Sequence, residues 1–251
     1  MLKTLPKISC VCLTYNRHDF LKRALWCFLE QDYPKDKCEL IILDDAGQYD
    51  NCVGDNWELV SINRRFSSVG SKRNASISLI STDSDVVAIW DDDDIYMPWT
   101  LRAHAAALES ADLSRPSVVL DDTNMNGLWY KDKVKLTVPN KCDIFHGACA
   151  YRVDVFKAVG WYPDLSSGED KDLLARMEYG RIKSAISTPD DIPYYVFNRN
   201  CGLYHISWAS HEYHKLEKPN KYISSLVAEP YDVDYQGIIS DLTTKEVFWP
   251  E

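Results

Sequence analysis

One stretch limits this chain more than any other: an apolar run, Val86-Val87-Ala88-Ile89-Trp90, that ends abruptly in four aspartates, Asp91 to Asp94. The run has the length and β-branching of a buried strand. Pro98 stops the turn that follows from continuing as regular structure. Four adjacent carboxylates repel one another, and folding alone does not call for them. At the end of a buried strand they fit a place where something cationic sits. Carboxylate oxygens are hard ligands, so that cation would be Mg²⁺, Mn²⁺ or Ca²⁺ rather than zinc. The competing reading is a solvated acidic turn.

Two earlier strands share the pattern. Ile8-Ser9-Cys10-Val11-Cys12-Leu13 ends in Thr14-Tyr15-Asn16-Arg17, and Glu39-Leu40-Ile41-Ile42-Leu43 ends in Asp44-Asp45. A helix from about 19 to 31 separates them, with Phe20, Leu21, Leu25, Phe28 and Leu29 at helical spacing. Leu59 to Ile62 is a weaker strand, and Gly70-Ser71-Lys72-Arg73-Asn74 opens a helix to about Ser81. Strand and helix thus alternate through the first hundred residues, which predicts a parallel, doubly wound α/β sheet. Ligands of such sheets bind off the carboxyl ends of the strands. Three strands here deliver polar side chains to that one edge, which favours a site over three unrelated turns.

The second half is less regular. Helices are predicted over about 99–110, 154–159 and from the Ser166-Ser167-Gly168-Glu169-Asp170 segment to Tyr179, and strands near 117–120, 145–151, 183–187 and 194–197. This half reads as mixed or antiparallel. The last forty or so residues, rich in Tyr, Trp and His, show no clear period. A net charge of −10 argues against nucleic acid or an anionic membrane as the main partner. No apolar run approaches the ~20 residues of a membrane span, and the N-terminus lacks the features of a signal peptide. Eight cysteines without a Cys-x-x-Cys pair read as reduced, mostly buried thiols. Together these features predict a cytoplasmic protein, with work beside a membrane left open.

The order Cys12-Leu13-Thr14-Tyr15-Asn16-Arg17, Leu43-Asp44-Asp45, Gly70-Ser71-Lys72-Arg73-Asn74, Trp90-Asp91-Asp92-Asp93-Asp94, Gly168-Glu169-Asp170 resembles family 2 glycosyltransferases of the GT-A fold, over roughly residues 7 to 207. The resemblance implies a Rossmann-like, mostly parallel sheet with helices on both faces. It divides the chain into a glycosyltransferase domain, 1–207, and an aromatic tail, 208–251, packed on it or acting as a lid. Within the domain a nucleotide-binding half spans about 7–98 and an acceptor-side half about 99–207.

The same resemblance assigns roles. Thr14, Tyr15 and Arg17 line the base pocket, and Asp45, better placed than Asp44, accepts from a uracil ring. A carboxylate beside an aromatic suits that task, since it reads a ring N–H while the aromatic stacks. Arg73, with Lys72 as the other candidate, approaches base or phosphate. Asp91 faces the ribose and Asp93 binds Mn²⁺ or Mg²⁺ on the diphosphate, with Asp92 an alternative for either role and Asp94 orienting the turn. Asp170 is the base that takes a proton from an acceptor hydroxyl, and Glu169 positions it. The competing account of Ser167 to Asp170 is a capped, acidic helix start. His205 completes the metal shell or caps the diphosphate. His146 and Trp161 are acceptor-side candidates that core packing explains equally well.

The expected activity is inverting transfer from a nucleotide sugar, a UDP-sugar foremost, to a glycan, lipid-linked or other hydroxyl acceptor. Two alternatives stand beside it. A sugar-nucleotide nucleotidyltransferase would carry a Gly-rich basic loop after the first strand, where this chain has Thr14 to Arg17. A non-catalytic calcium module of EF-hand type would need a Gly and further ligands where Met97 and Pro98 stand. A zinc site from Cys201, His205, His211 and His214 departs from the usual paired spacings.

Overall fold

The computed structural model describes residues 4–116, 118–122, 130–133, 146–186 and 194–198. The first half runs β1 (Ile8–Thr14), α1 (His18–Leu29), β2 (Cys38–Asp44), β3 (Cys52–Val53), β4 (Trp57–Ser61), α2 (Val69–Ser78) and β5 (Val86–Ile89). After the acidic turn come β6 (Ile95–Tyr96), α3 (Thr100–Leu108), β7 (Leu113–Arg115), β8 (Val118–Asp122) and β9 (Tyr130–Lys133). The described chain ends with β10 (Ala150–Arg152), α4 (Val153–Val159), α5 (Glu169–Tyr179), β11 (Ser184–Ile186) and β12 (Tyr195–Asn198).

Eight strands form the main sheet, in the order β11-β7-β10-β5-β1-β2-β4-β3. Its centre, β4-β2-β1-β5, is parallel throughout, as the alternation of strand and helix predicts. In the second half β10 is inserted between β5 and β7 and runs antiparallel to both, and β6 with β12 and β8 with β9 are antiparallel pairs as well. A second sheet, β6-β12-β8-β9, grows directly out of the acidic turn.

Side-chain alternation along the central strands builds two cores, one on each face. Ile8, Cys10 and Cys12 of β1, with Val86 and Ala88 of β5, pack with Leu21, Leu25 and Phe28 of α1 and Leu101 and Leu108 of α3. Val11, Val87 and Ile89 face the other way, onto Ile77 of α2, Phe156 of α4 and Leu173, Leu174 and Met177 of α5. The strands are therefore apolar on both sides, which is why they read as continuous runs. Cys10, Cys12, Cys27, Cys38 and Cys149 are buried free thiols, and Cys52 is half-buried. Among the described residues no helix is long and apolar enough to cross a membrane.

The expected strand at 145–151 is different in the structure. His146 to Ala148 form a tight helical turn, and the strand begins only at Ala150. Gly147 explains this, because a Cβ there would lie 2.5 Å from Asp91 Oδ2 and 3.0 Å from the Tyr195 hydroxyl. The bare backbone is what lets this turn lie against the acidic one. The tail at 208–251 lies outside the described residues.

His104 of α3 is 1 % exposed, bonded through Nδ1 to the Ser114 hydroxyl at 2.8 Å. Burial pulls its pKa from 6.5 down to about 3. Below pH 6.5 the unfolded chain therefore binds a proton that the folded chain refuses, and stability falls as the pH drops toward 3. Between pH 7.5 and 5.5 this group should remove about 1.4 kcal/mol. His104→Gln should flatten the pH dependence of urea unfolding by that amount. Parallel curves for the two proteins would rule the assignment out.

Candidate active site

The parallel register sets Thr14 of β1 beside Asp44 of β2, so the residues after each strand emerge together. Asp44 is fully buried and spent on its own loop. Its oxygens accept from the Ala46 and Gln48 N–H groups, each at 3.0 Å, and from the Ser61 hydroxyl at 2.7 Å. Asp45 meets cations instead. Its Oδ1 accepts from Lys72 Nζ at 2.5 Å and Arg65 Nη1 at 2.9 Å, and its Oδ2 from the Phe66 N–H at 3.2 Å. Lys72 also donates to the Thr14 carbonyl at 2.6 Å. Burial lowers the pKa of Lys72, and the bond to Asp45 works against that. Lys72 is therefore a buried strut between β1 and β2, on the side of Thr14 and Asp45.

Arg65 was not foreseen. Its guanidinium lies 3.7 Å from the centroid of the Tyr15 ring, so Tyr15, Arg65 and Asp45 form one cluster at this edge. The only sequence signal was the basic pair Arg64-Arg65 in the loop before α2, which has no periodicity to attach it to a site.

The acidic turn is not solvated. Asp92, Asp93 and Asp94 are each 3 % exposed or less. Arg17 Nη1 donates to Asp92 Oδ1 and to Asp93 Oδ2, both at 2.9 Å, and Arg23 donates to the Asp93 carbonyl at 2.6 Å. The Tyr195 hydroxyl donates to Asp94. Tyr96 accepts the Asp91 N–H at 2.7 Å and donates to the Gly147 carbonyl at 2.8 Å, while its ring stacks on Trp90 at 3.8 Å. Burial first, and the adjacent Asp93 second, raise the pKa of Asp92, with Arg17 pulling it back. Arg17 thus faces the aspartates. Asp91 is the open member of the run, with 29 % of its side chain exposed.

Arg73 joins this turn to α5. Its Nη1 lies 3.6 Å from Asp91 Oδ1 and its Nε donates to Glu169 Oε1 at 3.4 Å, with the Tyr162 ring 5.8 Å from the guanidinium. Glu169 is buried by this contact, and Asp170 beside it stays half-buried, its Oδ1 accepting from the Lys171 N–H at 2.8 Å. The N-cap of α5 is Gly168, at φ +80°, and offers no side chain, so Ser167 does not cap the helix. His146 is core. Its ring bonds the Tyr151 and Tyr162 hydroxyls, each at 2.9 Å, and burial, with Arg73 nearby, holds it well below its usual pKa. Trp161 is 46 % exposed and stacks on Phe156.

Among the described residues no three His, Cys, Asp or Glu side chains are close enough to share a metal ion. The donors that are present still fit a hard cation, because the turn offers only carboxylate oxygen and Asp91 is open. Mg²⁺ in particular is commonly held by one or two carboxylates plus substrate phosphates. His205, Cys201, His211 and His214 lie outside the described residues.

The two cations on Asp45 should differ in weight. Lys72→Met breaks a buried pair and should cost about 3 kcal/mol in urea unfolding. Arg65→Ala, at a side chain 57 % exposed, should cost less than about 1 kcal/mol. Equal losses would contradict this picture of the cluster.

No curated protein sequence matches the chain. Solved structures share its fold at low identity. TarS 1-349 of S. aureus superposes with a TM-score of 0.54 at 20 % identity, covering 77 % of this chain and 60 % of that one. The same protein in complex with UDP-GlcNAc gives 0.57 at 19 %, covering 84 % and 65 %. The mannosyltransferase PcManGT of Pyrobaculum calidifontis, in complex with GDP-Man and Mn²⁺, gives 0.56 at 17 %, covering 78 % and 57 %. The chain thus spans less than two thirds of the length of these structures. Residues 9–160, which carry the base-side cluster and the acidic turn, match the profile of glycosyl transferase family 2, and the chain belongs to that family.

Proposed function

We propose that this chain transfers a sugar from a nucleotide-sugar donor, a UDP-sugar foremost, to a hydroxyl acceptor in a single displacement that inverts the anomeric centre. The observation that carries the reading is Arg73, which ties Asp91 of the acidic turn to Glu169 of α5 at the carboxyl edge of the parallel strands. A donor-side element and a candidate base are thereby held side by side. The family match supports the donor side, and α5 lies beyond its last residue. The relatives with UDP-GlcNAc and GDP-Man bound support a nucleotide-sugar donor.

In this reading Tyr15, Arg65, Asp45 and Thr14 receive the base, through the ring face of Tyr15 and the charged edge of the Asp45 cluster. Asp93 would hold a Mn²⁺ or Mg²⁺ ion with the donor diphosphate, and the exposure of Asp91 suits it to join that ion as well as to face the ribose. The ion when bound neutralises charge on the leaving diphosphate. Asp92 and Asp94 keep the turn in shape, through Arg17 and the Tyr195 hydroxyl. Arg73 adds a fixed positive charge beside Asp91, and Glu169 orients it. Asp170 takes the proton of the acceptor hydroxyl as that oxygen attacks the anomeric carbon. The half-buried position of Asp170 suits a group that must meet an incoming acceptor.

With Mn²⁺ present, UDP at a hundred times its Kd should raise the melting temperature by about 5–10 °C. Asp91→Ala and Asp93→Ala should each remove the metal-dependent part of that rise. Asp170→Asn should keep it and slow transfer by about 10²-fold or more. GDP tested beside UDP decides the base. No thermal shift with either nucleotide, with Mn²⁺ or Mg²⁺ present, sinks the donor assignment, and full transfer by Asp170→Asn removes that residue from the base role.

A further inference from the structure

The segment 162–165, just before α5, is strapped to α2 at three levels. At the first, Asn74 treats Tyr162 as a strand would. Its Nδ2 donates to the Tyr162 carbonyl at 2.9 Å and its Oδ1 accepts the Tyr162 N–H at 3.0 Å. At the second, the Gly70 N–H donates to the Leu165 carbonyl at 2.9 Å, and a Cβ at Gly70 would lie 1.8 Å from the Pro163 carbonyl oxygen. At the third, Asp164 Oδ1 accepts from the Ser67 hydroxyl at 3.0 Å and from the hydroxyl of Ser68, the residue that caps α2. These bonds span roughly ninety residues of sequence, yet they join segments that flank the site on both sides.

The geometry has a consequence for α2 itself. Consecutive residues of this helix reach three different parts of the site. Lys72 reaches Asp45 and the Thr14 carbonyl, Arg73 reaches Asp91 and Glu169, and Asn74 grips Tyr162. Tyr162 in turn lies against Arg73 and is bonded to His146, which sits on the turn that backs Asp91. From Leu165 to Glu169 there are only three intervening residues. A shift of the strap therefore moves the start of α5, and with it Asp170, relative to the acidic turn.

We propose that Asn74 is a positioning residue, one that sets the distance of Asp170 from the donor side by fixing the backbone of Tyr162 to α2. The proposal rests on the transfer reading above. The Asn74 amide is taken up by the Tyr162 backbone, so its effect passes through Tyr162 and the first turn of α5. Asp164 belongs to the same strap, at its exposed end.

The test compares wild type, Asn74→Ala, Asp164→Ala and the double variant, all well below their melting temperatures. Hydrogen exchange needs no ligand. In Asn74→Ala the amides of 162–172 should exchange faster, while those of β1, β2 and β5 hold their protection. With Mn²⁺ and UDP or GDP, the Kd should stay within about threefold, while release of nucleotide from UDP-GlcNAc or GDP-mannose slows about 10–100-fold with KM nearly constant. The double variant should lose little more than Asn74→Ala, because both substitutions cut one strap. Unchanged turnover, equal losses in Kd and rate, or exchange raised evenly across the protein overturns the proposal. A wild type that binds nucleotide but turns over no donor defeats the transfer reading instead, and the exchange pattern still decides whether the strap holds α5.

Discussion

Three buried carboxylates in a row persist inside a fold only where donors and cations meet them, since an unpaired buried charge costs several kcal/mol. Arg17 meets two of them with one nitrogen, and Tyr195 meets the third. Much else follows from this requirement. Arg17 is the N-cap of α1 and Arg23 lies at its middle, so α1 must lie over the end of β5. Tyr195 comes from β12, so the second sheet must close over the same turn. The Trp90–Tyr96 stack and the Gly147 turn complete the enclosure. The outcome is a turn in which one carboxylate, Asp91, opens outward while Asp92, Asp93 and Asp94 are enclosed beside it.

The second organising element is α2. Its short sequence, Val69–Ser78, has little apolar character of its own, and it buries few large side chains. Tertiary contacts hold it: Lys72 beneath the base-side cluster, Arg73 between two carboxylates and Asn74 on a neighbouring backbone. A helix fixed this way acts as a spacer between chemically different halves of a site. That role suits polar side chains at consecutive positions, each about 100° further around the axis.

The parts of this arrangement that were legible in the sequence are those where backbone pattern and chemistry coincide. β1, β2 and β5 are apolar on both faces and read as runs, and each run stops at residues that belong to the site. All five helices were legible too, α1 from apolar residues at helical spacing and α2 from the Gly70 to Asn74 segment that opens it. β3, β6 and β7 were not: at two or three residues each they show no period. The turn at His146 hid because Gly147 answers to Asp91 and Tyr195, partners far away in sequence. Arg65 and the inward turn of Arg17 were hidden likewise. A cation's choice among nearby carboxylates is settled by three-dimensional proximity, which a motif does not record. Lys72 and Arg73 part for the same reason: one residue along a helix turns Lys72 toward Asp45 and Arg73 toward Asp91 and Glu169.

The antiparallel strand β10 has a meaning in time as well as in space. β5 pairs with β1 on one side and with β10 on the other, and β10 is made more than fifty residues later. While the chain emerges from the ribosome, β1, β2, β4 and β5 can assemble before β10 is made, since all four precede it in the chain. The outer edge of Val86 to Ile89 then stays unpaired until Ala150 to Arg152 arrive. An apolar open edge of this kind invites pairing with other chains. The strand that closes the sheet is thus also the one that ends a vulnerable interval in its synthesis, and it delivers the Tyr151 hydroxyl to His146 as it does so.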